Sequence, residues 1–318
     1  MILCVAANPA IDTLFQVQRL APGEIHRPLA VVARPGGKGL NAARAAAALG
    51  GAVVATGLVG GHAGDWLQEA LMAEPLTARF VHSAAETRSC LSVADRETGG
   101  LTEFYEDAAP VTRAEWDELV VLVGALLGSS ARGASWLTLS GSLPPGAPAD
   151  GYAALIGVAR DAGVLAALDS RGAFLARGIA ASPALVKINA AEGAELIGAR
   201  IADTSDAVAT ARAIRGRTGG DGHAVAITLG EAGAVLVDPS GGVWRGTLDA
   251  RGAYPVSSGD AFLAGLVVAL ERGEAWPDAA RLALGAAAAS AELPGAGVLD
   301  GDRAHALARA AVVGEISG

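Results

Sequence analysis

Short β-rich runs alternate with alanine- and leucine-rich helical ones from end to end of this chain, and no other feature narrows its fold so far. Parallel strands need a crossover between them, and a helix fills it, so this alternation predicts a mostly parallel sheet with helices on both faces. The expected core strands are Ile2–Ala7, Ala52–Leu58, Ser135–Ser140, Val164–Asp169, Ala184–Ile188 and His223–Leu229, each apolar and bounded by turn residues. Helices are expected over Gly39–Leu49, which stops at Gly50-Gly51, and over Thr112–Leu127, Gly151–Ala162, Asp206–Arg217, Ala261–Glu271 and Asp278–Leu293. Two stretches break the rhythm. Thr13–Ala33 and Arg88–Tyr105 alternate with period two and have no helix inside them, so they read as antiparallel strands outside the main sheet. Such strands could cover the sheet's carboxyl edge, where this architecture binds ligands.

With 52% hydrophobic and 18% charged residues, the 318-residue chain can bury a large core and lies far from disordered compositions. No internal repeat or linker divides it, so one α/β domain over 1–318 is expected, with inserted segments at about 11–34 and 87–106. The net charge is -9 and no Lys/Arg run could neutralise several phosphates, which argues against nucleic acid and anionic membranes as partners. Cys4 and Cys90 are the only cysteines, no secretory pattern follows Met1, and no apolar run approaches the ~20 residues that span a bilayer. The reading is a cytoplasmic protein. Lys38 and Lys187 are the only lysines among 24 basic residues. A compact ammonium fits between phosphate oxygens where the planar guanidinium fork does not, which is a physical reason for two such exceptions.

Lys38 stands in Pro35-Gly36-Gly37-Lys38-Gly39-Leu40-Asn41, a glycine-rich turn that opens a helix. Free helix-terminal amides, the helix dipole and an ammonium there suit an anion, and Asn41 can both donate to and accept from hydroxyls. The spacing is not that of a Walker A loop, since Gly39 rather than Ser or Thr follows Lys38. A second turn, Val256-Ser257-Ser258-Gly259-Asp260-Ala261-Phe262, opens the helix that runs through Leu270. Its amides could hold a transferring phosphoryl group while Asp260 takes a proton from an incoming hydroxyl, although simple capping produces the same residue types. Asn8-Pro9-Ala10-Ile11-Asp12, Ser140-Gly141-Ser142, Lys187-Ile188-Asn189 with Glu192, and Thr228-Leu229-Gly230-Glu231-Ala232-Gly233 all follow predicted strands. In an open parallel sheet those strand ends share one crevice. Gly57–Gly64 lacks G-x-G-x-x-G spacing, no G-x-S-x-G elbow surrounds Ser140 or Ser142, and the five histidines show no ligand spacing. A dehydrogenase, a serine hydrolase and a histidine metal site are therefore poor readings.

At this point the chain resembles the PfkB/ribokinase family of carbohydrate kinases from end to end. Gly36-Gly37-Lys38-Gly39-Leu40-Asn41-Ala42-Ala43 is similar to that family's amino-terminal motif, and Ser257-Ser258-Gly259-Asp260-Ala261-Phe262-Leu263-Ala264-Gly265 to its carboxyl-terminal one. Asn8–Asp12, Thr87-Arg88 and Ser140–Pro144 look like the branch that takes phosphorylated sugars, which includes 1-phosphofructokinase, tagatose-6-phosphate kinase and a minor 6-phosphofructokinase. The resemblance implies a ribokinase-like α/β/α sandwich with a small β-lid, often used for dimerisation. It implies ATP and Mg²⁺ as cofactors and Asp260 as catalytic base, with Ser258 and Gly259 in the anion hole. Asp12, Gly37, Lys38, Asn41, Arg88 and Ser140 would bind the sugar phosphate, with Lys38 and Arg88 on its existing phosphate. Lys187, Asn189, Glu192, Thr228, Gly230, Gly233, Ser258 and Gly259 would line the nucleotide site, with Asn189 and Glu192 organising Mg²⁺ through water. The implied reaction is phosphorylation of fructose 1-phosphate to fructose 1,6-bisphosphate. Alternatives are fructose 6-phosphate, tagatose 6-phosphate, an unphosphorylated sugar or nucleoside, or a non-catalytic sugar-phosphate sensor. The sequence departs from the pattern in three places: Ser257-Ser258 stands for Gly-Ala, Ile188 for proline, and Ala287 and its neighbours offer no asparagine toward adenine. A serine at 257 is strained if that position needs positive φ.

Overall fold

The alternation is realised in a computed structural model that describes residues 1–128 and 135–316. The first half comprises β1 (Ile2–Ala6), β2 (Ala10–Val17), β3 (Ala30–Gly36), α1 (Lys38–Ala48), β4 (Val53–Gly60), α2 (Gly61–Leu71), β5 (Thr77–Ser83), β6 (Arg88–Asp95), β7 (Leu101–Tyr105), α3 (Arg113–Gly128), β8 (Trp136–Ser140) and α4 (Gly151–Asp161). The second comprises β9 (Leu165–Asp169), α5 (Gly172–Ala180), β10 (Leu185–Asn189), α6 (Ala190–Ile197), α7 (Thr204–Thr218), β11 (Ala224–Thr228), β12 (Ala234–Val237), β13 (Val243–Thr247), α8 (Ser258–Glu271), α9 (Trp276–Glu292), α10 (Gly301–Ala310) and β14 (Val312–Glu315).

The larger sheet has ten strands in the order β14-β13-β12-β11-β10-β9-β8-β1-β4-β5. From β5 to β11 every neighbour is parallel, and β12, β13 and β14 extend the edge as antiparallel strands. Period-two alternation divides the core. On β1, Ile2, Cys4 and Ala6 enter one layer while Leu3 and Val5 enter the other. The first layer is rich in alanine, with Ala55, Ala167 and Ala226 from strands meeting Ala43, Ala264 and Ala283 from helices, so backbones approach closely. The second fills its volume with Leu, Val and Ile around Trp116 and Tyr152. The chain steps from β1 to β4 and β5 on one side, then returns to β8 on the other, and that reversal opens a crevice at the carboxyl edge. No described helix is long and apolar enough to cross a membrane.

A second sheet of four strands, ordered β3-β2-β6-β7, stands apart from the first. Its outer pairs β2–β3 and β6–β7 are antiparallel as the sequence suggests, but β2 and β6 run parallel, from Ala10 opposite Arg88 to Val17 opposite Asp95. The reason is topological: β2 follows β1 and β6 follows β5, two parallel strands whose chains leave the main sheet in the same direction. Asp12 lies inside β2. The sequence reading also passed over β5, α5, α6, α10 and the antiparallel edge β12–β14.

Candidate active site

Helix α1 begins at Lys38 behind Gly37, whose φ of 89 is the left-handed conformation that a glycine adopts without cost. The Gly37 amide donates to Asp12 Oδ2 at 3.2 Å, which ties this turn to the small sheet. Helix α8 begins at Ser258 behind Ser257, itself left-handed at φ 65. The condition for strain at position 257 is thus met. Neither helix start has a side-chain cap, whereas α6, α7 and α10 are capped by Asn189, Asp203 and Asp300. Capping therefore does not account for Asp260. Its carboxylate is buried and Oδ2 accepts a hydrogen bond from Asn41 Nδ2 at 3.1 Å, across 219 residues of sequence. The two turns face each other.

Every candidate residue named from sequence lines one cavity of about 670 Å³: Asp12, Gly37, Lys38, Asn41, Arg88 and Ser140 toward the small sheet, Lys187, Asn189, Glu192, Thr228, Gly230 and Gly233 along the ends of β10 and β11, and Ser258, Gly259 and Asp260 between them. Leu248, Leu284, Ala287, Ala288 and Ala291 add an apolar wall. Four of these residues hold buried polar atoms without a hydrogen-bond partner: Asn41 Oδ1, Arg88 Nε, Ser140 Oγ and Ser258 Oγ. Buried polar groups are ordinarily paired, so their convergence on one cavity marks where a polar ligand fits.

The sequence reading missed the residue at the electrostatic centre. Asp169, fully buried at the end of β9, accepts from Lys38 Nζ at 3.0 Å through Oδ1 and from Lys187 Nζ at 2.7 Å through Oδ2. Both lysines of the chain thus share one carboxylate. Burial alone would push the Asp169 carboxyl up, but Lys187 and then Lys38 hold it below the usual carboxylate range. Lys38 also reaches Glu192 Oε1 at 3.3 Å. Burial works against its ammonium, yet Asp169, Asp260 and Glu192 keep it protonated well above the ordinary lysine value. The Lys38 ammonium, about a third exposed, thus turns to these carboxylates. Arg88 stands apart, its Nη2 donating to Asn8 O at 3.4 Å.

Asp260 is pushed up from 3.8 to about 7, chiefly by burial, with Asp169 adding to the rise and Lys38, Lys187 and the Asn41 hydrogen bond opposing it. A carboxylate poised near neutrality can take a proton at neutral pH. Beside it Gly259 gives room, since a Cβ there would lie 2.8 Å from Lys187 Nζ. Asn189 and Glu192 form a capping box: Asn189 Oδ1 accepts from the Glu192 amide and Glu192 Oε2 from the Asn189 amide, each at 2.9 Å. Ile188, where the family has proline, pairs with Ile227 and is buried as an ordinary strand residue.

A buried carboxylate pushed toward neutrality, two uncapped helix starts and two lysines sharing one carboxylate meet in one crevice. The pfkB family carbohydrate kinase profile matches residues 3–300. A 1-phosphofructokinase from Rhodobacter capsulatus is 31% identical over 283 residues, covering 89% of this chain and 87% of that one. Phosphofructokinase-2 from Escherichia coli superposes with a TM-score of 0.88 at 26% identity in its complex with substrates and products, covering 97% of this chain and 98% of that one. Its complex with fructose-6-phosphate gives 0.87 at 25% identity over the same shares. The chain belongs to the pfkB family of carbohydrate kinases. It is a phosphotransferase with an alcohol group as acceptor, in a family whose members use ATP.

Proposed function

We propose that this kinase transfers the γ-phosphoryl group of ATP to the free primary hydroxyl of fructose 1-phosphate, giving fructose 1,6-bisphosphate. The observation that carries the reading is the contact between Asn41 and Asp260, made inside a cavity that also presents Arg88 and the lysine-paired Asp169. Asp260 takes the hydroxyl proton as that oxygen bonds to the γ-phosphorus and the bond to the ADP oxygen breaks. Arg88, with its unpartnered Nε, meets the phosphate already on the sugar, and Asp12 and Asn41 take sugar hydroxyls. Lys38, drawn toward Asp169 and Glu192, lies to the transferring phosphoryl group rather than the resting one. Gly259 offers its backbone amide and Ser258 its unpartnered hydroxyl to the same group, the Ser258 amide being engaged with Pro255 O at 3.2 Å. Lys187, Thr228, Gly230 and Gly233 line the nucleotide phosphates, and the Leu284–Ala291 wall receives the base. Asn189 and Glu192 suit Mg²⁺ held through water, since that ion keeps most of its waters and takes one or two carboxylates beside substrate phosphates. When bound, the ion neutralises charge on the phosphates.

The four-stranded sheet, residues 10–36 and 88–105, acts as a lid that brings Asp12 and Arg88 over the cavity. Its exposed Val31, Phe104 and Tyr105 support pairing with a second copy of the chain. The test is a coupled assay of ATP turnover with fructose 1-phosphate, fructose 6-phosphate, tagatose 6-phosphate and unphosphorylated fructose. Fructose 1-phosphate is expected to give the highest kcat/KM. A preference for plain fructose overturns the substrate reading, and no turnover with any of the four leaves a sensor.

A further inference from the structure

Between the two turns lies a segment that the proposed chemistry does not use. Ala296-Gly297 follows α9, and the Gly297 amide donates to Ser257 Oγ at 2.6 Å. Arg44, buried on α1 and outside the cavity lining, donates from Nη1 to Ala296 O at 3.2 Å and from Nη2 to Pro35 O at 2.6 Å. Pro35 immediately precedes Gly36-Gly37-Lys38. Glu74 completes the guanidinium's environment, accepting from Nε at 2.7 Å and from Nη2 at 2.9 Å. A hydrogen-bonded bridge thus runs from Ser257 through Gly297, Ala296 and Arg44 to Pro35, joining the Asp260 turn to the Lys38 turn. The segment is also wedged against α1, for a Cβ on Gly297 would fall 2.6 Å from Asn41 Cα.

The residue types follow from the task. A planar fork with five donors can hold two carbonyls and a carboxylate together, and an ammonium cannot match that geometry. Ser257 keeps a left-handed backbone that glycine would take without strain, and what serine supplies there that glycine lacks is the hydroxyl that Gly297 binds. We propose that Arg44 is a positioning residue: together with Ser257 it sets the separation of the two turns, and so the Asn41–Asp260 contact, without touching either substrate. Only the kinetic half of its test rests on the reading of the cavity as a phosphoryl-transfer site.

The variants are Arg44→Lys and Ser257→Gly, with Ile214→Val in the opposite core layer showing what lost stability alone does. Arg44→Lys is expected to lower kcat/KM for the sugar phosphate about 10- to 100-fold, the scale on which small misplacements act, with KM for ATP changed less than about threefold. Ser257→Gly is expected to fall in the same direction by roughly fivefold or more with no loss of melting temperature, since glycine relieves the backbone as the hydrogen bond is lost. Hydrogen exchange reads the same device without turnover: in both variants, amides in 33–41 and 255–262 should exchange faster together. If exchange rises only in 294–299, the bridge is a local pin and the proposal fails. If kcat/KM in both variants stays within about twofold of Ile214→Val, it fails as well. Should Arg44→Lys not fold, Ser257→Gly decides alone. Should the wild type phosphorylate none of the sugars, the functional reading falls and the exchange result still decides this one.

Discussion

Replacing Asp260 with Asn should slow catalysis by orders of magnitude and stabilise the protein in the same stroke, and the size of the second effect follows from burial. The Asp260 carboxyl titrates at about 7 in the folded protein against an ordinary 3.8. The folded state therefore holds this proton more tightly than the unfolded chain, so stability falls as pH rises between those two values and levels off above the higher one. Three pH units at about 1.4 kcal/mol each amount to roughly 4 kcal/mol at pH 8.5, and to about 2 kcal/mol at pH 5.5. Asparagine cannot ionise, keeps an oxygen to accept from Asn41 Nδ2, and escapes that loss. For 318 residues the unfolding entropy is on the order of 0.7 kcal/mol per degree, so the variant should melt roughly 6 °C above wild type at pH 8.5 and about half as far above at pH 5.5. Differential scanning fluorimetry across that range measures the gap. In the coupled assay kcat should fall about 10²- to 10⁴-fold with both KM values little changed, because the base acts only as the hydroxyl proton leaves. A variant that melts with wild type at pH 8.5 refutes the burial argument. One that turns over normally refutes the choice of base.

Arg88→Ala should raise KM for fructose 1-phosphate about 10- to 100-fold, the worth of a charge-assisted phosphate contact, with KM for ATP nearly constant; equal, small changes in both would return the choice to an unphosphorylated acceptor. Asp169→Asn leaves the buried Lys187 ammonium without its anion while Lys38, about a third exposed, keeps Glu192, so a loss of about 3 kcal/mol is expected in urea unfolding, and an unchanged midpoint would mean that Lys187 finds another partner. Chelation by EDTA should stop turnover and added Mg²⁺ restore it, with Glu192→Gln shifting the Mg²⁺ requirement upward by about tenfold or more; a Glu192→Gln enzyme saturating at the wild-type Mg²⁺ concentration would remove Glu192 from that role.

How much of this was legible in the sequence depended on whether a feature is local. Strand and helix periods are local, and all six predicted core strands occur within a residue or two of where the alternation put them. Strand β5 was not legible, because a half-exposed edge strand that reads Thr-Ala-Arg-Phe-Val-His-Ser carries no continuous apolar run. The parallel pairing of β2 with β6 depends on where two distant strands leave the main sheet, which no window of sequence contains. The candidate residues could be picked out because most of them end a strand or lie close to one, and one cavity gathers them. Arg44 escaped notice inside an alanine-rich helix, where an arginine reads as solvated surface until Pro35, Glu74 and Ala296 are seen around it.

Asp169 shows the limit most clearly, and it changes the chemistry inferred from the lysines. From sequence, two exceptional lysines promise two positive charges for phosphate. In the fold, Lys38 is paired with Asp169 and Glu192 and Lys187 with Asp169, so neither ammonium stands free for a phosphate, and the cavity's other positive charges are Arg88, Arg171 and Arg251. A nucleotide triphosphate brings several further negative charges to that place, and ammoniums already paired cannot balance them alone. Under the proposed reaction a divalent cation arriving with the nucleotide would offset part of that charge, which gives the expected Mg²⁺ dependence a second basis beside Asn189 and Glu192. A protein that turned over free ATP as fast as its magnesium complex would show that the cavity's own lysines and arginines balance the nucleotide, and would refute this argument.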